Sequence, residues 1–212
     1  MSQPRVLGYG LLVICVLCLV AGMAVAQEPN DTFQLTYYSN GQVKTISDAT
    51  VHIVNPGTDI TTINKNGEPT SGNLCADIFV YNNDEQAVEC CACELTPDSE
   101  RTLGIRTNLL ANPVNSGNVT NDGVIKVIST ALVNGTCPTP TGDTTITPTA
   151  GLRAWGTHWQ SQGTETVNYY ETEEEFAAAP LSSFEFEYDE LQCSAIVTSG
   201  SKKGICSCGY GD

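Results

Sequence analysis

Basic residues are scarce in this chain of 212 residues: nine Lys and Arg stand against 24 Asp and Glu, a formal charge of −15. Nucleic acid and anionic membrane surfaces both demand clustered Lys and Arg, so neither is an expected partner. Histidine is almost missing, with His52 and His158 the only two. Any hydroxyl–His–carboxylate or Cys–His relay must take one of them as its base, and no G-x-S-x-G element accompanies either. Both therefore read as structural residues. No D-x-[DN]-x-[DN]-G loop is present for calcium, and the paired C-x-x-C knuckles of a zinc site are missing; no metal or cofactor is expected. No apolar run after residue 26 reaches the roughly 20 residues that a membrane span needs. The helix formers Leu, Lys and Arg are few, while Thr, Val, Ile, Gly and Asn are plentiful. That balance excludes a helical bundle and favours strands and turns.

What the chain does have begins at its N-terminus. Arg5, the apolar run Leu11 to Val20 and the small-x-small triplet Ala24-Val25-Ala26 make up an export signal over residues 1–26, with maturation expected at Gln27. Cys15 and Cys18 lie inside that apolar run. The other eight cysteines are Cys75, Cys90, Cys91, Cys93, Cys137, Cys193, Cys206 and Cys208. An even number in an exported chain implies four disulfides and works against a thiolate metal site. Cys193 is expected to bond to Cys206 or Cys208, across the short segment that contains Gly200 and Gly204.

Alternation marks the strands. Phe33, Leu35 and Tyr37 share one face of an N-terminal strand segment (residues 27–42), with Gln34, Thr36 and Tyr38 on the other. Asn40-Gly41 predicts a hairpin returning through Val43 to Ile46. Ala49 to Asn55 and Ile60 to Ile63 are further candidates. Leu74 to Asn82 and Gln86 to Cys93 predict a hairpin around Asn82-Asn83-Asp84-Glu85, with Val80 opposite Val88, Ile78 opposite Cys90 and Cys75 opposite Cys93. In that strand Cys91 and Cys93 share a face and Cys90 points through the sheet, so the C-C-x-C cluster can feed bridges on both sides. Arg101 to Leu110, Gly123 to Val133, Leu152 to Gln160 and Thr164 to Tyr170 continue the pattern. The Thr- and Pro-rich stretch 136–149 reads as an excursion within one domain, since Cys137 needs a partner outside it. Glu173-Glu174-Glu175-Phe176 predicts a short acidic helix. Ser182-x-x-Glu185 is a capping box opening a second helix, with Phe184, Tyr188, Leu191 and Ala195 at helical spacing.

The fold expected is mainly β: an antiparallel β-sandwich-like domain over residues 43–170, then a helical, disulfide-clamped, Cys-rich module over residues 171–212. The sharpest aromatic feature is Arg-Ala-Trp-Gly-Thr-His-Trp. On a strand Trp155 and Trp159 point the same way, and with Tyr169 and Tyr170 they are the candidate ligand-binding residues. The small neighbours Ala154 and Gly156 suit packing of Trp155, whereas Gln160 and Ser161 suit exposure of Trp159. Asn30, Asn118 and Asn134 open glycosylation sequons. No catalytic residue is singled out. The expected function is a secreted, non-enzymatic extracellular binding or structural protein, for surface adhesion or glycan contact. The alternatives are a self-assembling subunit that donates Gln27 to Tyr38 to a neighbour's sheet, and a secreted hydrolase working through paired carboxylates.

Overall fold

The computed structural model describes residues 31–114, 121–163, 167–199 and 201–209. The expected export signal, Gln27, the sequons at Asn30 and Asn118, and Gly200 lie outside the described residues. Nine strands are described: β1 (Phe33–Tyr38), β2 (Thr50–Asn55), β3 (Leu74–Asn82), β4 (Ala87–Leu95), β5 (Ser99–Gly104), β6 (Gly123–Ala131), β7 (Arg153–Gln162), β8 (Asn168–Glu175) and β9 (Ala177–Ala178). A single π-helical turn, Ile105–Leu109, follows β5, and one α-helix, α1 (Ser183–Thr198), follows β9. The strands form two sheets packed together, ordered β4-β3-β6-β1-β9 and β5-β2-β7-β8, with every pairing antiparallel.

Period-2 alternation explains the layering. From the five-stranded sheet, Ala76, Ile78, Val80, Ile125 and Val127 point between the sheets and meet Val51, Ile53, Leu103 and Ala154 of the other. The intervening residues Phe79, Tyr81, Ile128 and Phe33 face the opposite way, where α1 covers them with Cys193 and Ile196. The β3 strand is thus buried on both faces along its whole length, which accounts for its nearly unbroken apolar run. At Phe176, buried between β8 and β9, the chain passes from one sheet to the other.

Several local expectations are corrected by long-range pairing. Val43 to Ile46 is not a strand; β1 lies between β6 and β9 instead. Nine residues of β6 offer a longer ladder than a four-residue return strand could. One edge of β1 is paired with β6 along its whole length, and the other is paired with β9 over Gln34 and Leu35. Its alternation is as expected, but Phe33 and Leu35 pack under α1 while Gln34 turns inward. There the Gln34 side chain donates to the Leu152 carbonyl at 2.7 Å and accepts from the Ala154 amide at 3.2 Å, tying the two sheets together. Ile60 to Ile63 contributes only an isolated bridge, Ile63 to Pro69.

The β3–β4 hairpin forms with its register one residue from expectation: Ile78 opposes Cys91, Ala76 opposes Cys93 and Val80 opposes Glu89. A bulge between Val80 and Tyr81 supplies the offset. The turn itself is built by Asn82, whose Oδ1 accepts from the amides of Asp84 and Gln86 at 3.0 and 2.9 Å. Glu173-Glu174-Glu175 is strand, not helix, because β7 offers each of these residues a partner, whereas an isolated helix of one turn cannot repay its nucleation.

Ser182 caps the helix as read, its Oγ accepting from the Glu185 amide at 3.0 Å, but the Glu185 carboxylate that would complete the capping box is bonded to Lys126 instead. The buried face of α1 is different from expectation. Phe184, Tyr188 and Leu191 are exposed, and Asp189, Cys193 and Ile196 face the sheet. The reason is covalent. Cys193 bonds to Cys90 of β4 rather than to Cys206 or Cys208, and this bridge sets the rotation of the helix. Cys206 and Cys208 bond to Cys91 and Cys93, and Cys75 bonds to Cys137. The C-C-x-C cluster does feed both sides of its sheet, and the segment carrying Cys206 runs along the free edge of β4. Covering that edge removes a site for unwanted strand pairing.

Candidate functional site

Within β7 the inward residues are Ala154, Gly156 and His158, all buried, so Arg153, Trp155, Thr157 and Trp159 lie on the outer face of the four-stranded sheet. The small neighbours of Trp155 are thus themselves the inward positions, and the indole points away from the core. Trp155 and Trp159 are each half-buried. Trp159 is the one that packs against the main apolar cluster, and its Nε1 is buried without a hydrogen-bond partner among the described residues. Its backbone carbonyl is held by the side chains of Ser39 and Asn40, at 2.9 Å for the serine hydroxyl.

The strand register sets what surrounds these indoles. Trp155 stands directly between His52 of β2 and Glu175 of β8, and Thr102 of β5 lies beyond His52. Thr157 and Trp159 face Glu173 and Glu171. Tyr169 opposes Ser161 and shares this face; Tyr170 opposes Gln160 and falls on the other. Register puts Trp155, Trp159 and Tyr169 on one face, but of these the Trp159 indole packs back on the main apolar cluster. The residues that sequence reasoning missed are Thr50, Glu100, Thr102, Glu171, Glu173 and Glu175. Their period-2 spacing was visible, but which strands stand side by side was not.

His52 is held on both nitrogens. Nδ1 lies 2.7 Å from Glu100 Oε1 and Nε2 lies 3.0 Å from Thr50 Oγ1. Thr102 Oγ1 donates to the same glutamate oxygen at 2.9 Å. The hydrogen bond from His52, with that from Thr102, lowers the pKa of Glu100. A hydroxyl, an imidazole and a carboxylate in this order have the connectivity of a nucleophile relay. The surroundings do not complete it. The Thr50 amide is already given to Thr157 Oγ1 at 2.7 Å, and β2 is laddered to β5 and β7 on its two sides, so these backbone donors among the described residues are engaged rather than free for an oxyanion. What the arrangement can do is present oriented hydroxyl, imidazole and carboxylate groups beside an indole.

His158, the other histidine, is buried between the sheets, with Nε2 3.5 Å from Thr36 Oγ1 and its ring stacked 4.2 Å from that of Tyr37. Burial lowers its pKa, against the opposing charge of Glu174. The sulfur atoms of Cys91, Cys93 and Cys208 lie within 4.8 Å of one another, as a metal cluster would, but all three are consumed in disulfides. Three carboxyls, Asp77, Glu89 and Asp189, are buried outside this face. Burial pushes Asp77 and Glu89 each up to about 8, against hydrogen bonds from Thr130 and from the Asn112 amide respectively. Among the described residues no helix is long and apolar enough to cross a membrane. Comparison with known proteins finds no matching family model, no matching curated protein and no matching solved structure.

Proposed function

We propose that this chain is an exported, non-enzymatic binding module whose outer β5-β2-β7-β8 face contacts a polyhydroxylated ligand, a glycan of a surface or matrix. The observation that carries the reading is the cross-strand row Thr102, His52, Trp155 and Glu175, four residues in direct register over four adjacent strands. An indole offers an apolar face to a sugar ring, and the flanking imidazole and carboxylate offer hydrogen bonds to its hydroxyls. Charge-assisted bonds to Glu175 strengthen such contacts. Four disulfides fit an oxidising, extracellular setting, in keeping with the export signal read from residues 1–26. The net charge of −15 keeps such a module soluble and biases it against anionic polymers.

A glycan array probed with the purified protein, followed by titration of any neutral oligosaccharide found, tests the proposal. Trp155→Ala is expected to weaken binding at least tenfold, about 1.4 kcal/mol, with little change in melting temperature. Trp159→Ala, whose indole packs on the core, is expected to lower stability instead. Binding that survives Trp155→Ala with unchanged affinity would place the ligand elsewhere, and an array without a binder would remove the glycan reading.

A further inference from the structure

The α1 helix buries Asp189, Cys193 and Ile196 and packs Phe186 on the apolar cluster beneath it, while Phe184 and Leu191 face solvent. Beside the Cys193 disulfide, its second attachment to the sheet is a polar cluster around Lys126 of the central strand β6. Lys126 Nζ lies 2.9 Å from Asp189 Oδ1 and also donates to Glu185 Oε1. Tyr81 donates its hydroxyl to the same Asp189 oxygen at 2.6 Å. The ammonium sits 4.4 Å from the centre of the Tyr81 ring and 5.9 Å from that of Tyr188. The Asp189 side chain has no solvent exposure and Lys126 only 16%. Asp189 Oδ2 has no hydrogen-bond partner among the described residues.

We propose that Lys126 and Asp189 become joined by an intramolecular isopeptide bond, Nζ to Cγ, with Glu185 as the proton carrier. Taking an ammonium and a carboxylate out of water is costly, so transfer of the Lys126 proton within the cluster leaves an amine and a carboxylic acid at reduced penalty. Burial raises the pKa of Asp189, against the hydrogen bonds from Tyr81 and Lys126 that lower it. For Lys126, burial acts to lower the pKa, but the hydrogen bonds and charges of Glu185 and Asp189 outweigh it, and the net direction is upward. The ammonium must therefore pass one proton to the Asp189 carboxylate, at Oδ2, before the resulting amine can attack. Nζ is held 2.9 Å from an oxygen of the carboxyl it attacks, so the two groups need no encounter step. As Nζ adds to Cγ, negative charge gathers on Oδ1, where the Tyr81 hydroxyl already donates. Glu185, held to Nζ, takes a second proton from it and delivers it to the already protonated Oδ2, which leaves as water. One N–C bond forms and one C–O bond breaks. Counted from ammonium and carboxylate, two of the three Nζ protons depart with one oxygen, with no net proton exchange and no redox change. An open cleft of about 380 Å³, lined by Tyr81, Asn82, Val124, Lys126 and Tyr188, gives the water a way out. The product ties α1 to the centre of the sheet by a bond that reductants do not cleave, complementing the disulfide at the sheet's edge.

The test is intact mass of the exported, purified chain after full reduction and alkylation, with a peptide map. The expected result is a mass one water below that of the alkylated sequence, and a branched peptide linking the Lys126 and Asp189 segments. Lys126→Arg and Asp189→Ala should restore the full mass, and Glu185→Ala should slow or abolish bond formation in a chain that circular dichroism shows to be folded. A full mass for the unsubstituted protein, or a water loss that maps to other residues, overturns the proposal.

Discussion

Substituting Asp77 by Asn should convert a pH-dependent stability into one that is flatter, because Asp77 is an acid folded into a place that rejects its charge. The side chain lies on β3 under α1 with 1% exposure, accepts one hydrogen bond from Thr130 Oγ1 at 3.1 Å, and leaves Oδ1 without a partner among the described residues. Burial, to which the charge of Glu190 adds and against which Thr130 acts, pushes its pKa from 3.8 up to about 8. Each tenfold difference in proton affinity is about 1.4 kcal/mol, so carrying the charge in the folded state costs on the order of 5 kcal/mol at high pH. The sign follows from which state holds the proton. Below the unfolded value both states are protonated and the contribution is fully favourable. As pH rises towards about 8 the folded state retains a proton that the unfolded state has released, and stability falls; above the folded value the loss is complete. Asparagine is neutral throughout and still offers Thr130 an acceptor. Asp77→Asn should therefore match the parent protein near pH 4 and exceed it increasingly towards pH 8, approaching the order of 5 kcal/mol. Guanidinium unfolding with disulfides intact, followed by far-ultraviolet circular dichroism across that range, measures the difference. Glu89 titrates in the same direction in both proteins and cancels. A stability difference that stays constant with pH, or one that reverses in sign, refutes the reasoning.

Two other expectations concern backbone and covalent closure. A Cβ at Gly123 would lie 2.1 Å from the Tyr81 carbonyl oxygen and 2.6 Å from the Tyr38 ring, so Gly123→Ala should cost about 3 kcal/mol through overpacking at the start of β6; an unchanged melting temperature would show that the sheet end relaxes freely. The Cys75–Cys137 bridge spans a sequence separation of 62, and its removal by the double Ser substitution should lower stability by about 4 kcal/mol from loop-closure entropy, with the sandwich still formed; a loss below about 1 kcal/mol would mean that the 136–149 excursion is held by other contacts.

Much of the fold was legible because strand signals are local. Alternation in Thr50–Asn55, the polar turn at Asn82 and the N-cap at Ser182 each declare themselves within a few residues, and all three form. The C-C-x-C spacing also spoke for itself: neighbours on a strand face opposite ways, so Cys90 and Cys91 had to serve different layers. The site was legible only in part. That Trp155 and Trp159 share a face follows from spacing, but His52, Glu100 and Glu175 come from three other strands and meet Trp155 through pairings between segments far apart in sequence.

The sequence by itself determined composition-driven and periodic properties: mainly β structure, four bridges from eight cysteines, an acidic surface poor in Lys and Arg, and a helix that begins at Ser182. Each depends on a residue and its near neighbours, where steric preference and hydrogen-bonding reach are short. Tertiary structure alone decided which segments became neighbours. It placed β1 between β6 and β9, drew Glu173 to Glu175 into a ladder with β7, carried Cys193 to Cys90, and turned Asp189 rather than Tyr188 towards the sheet. Those outcomes follow from total burial and ladder length over the whole chain, quantities that no local window contains.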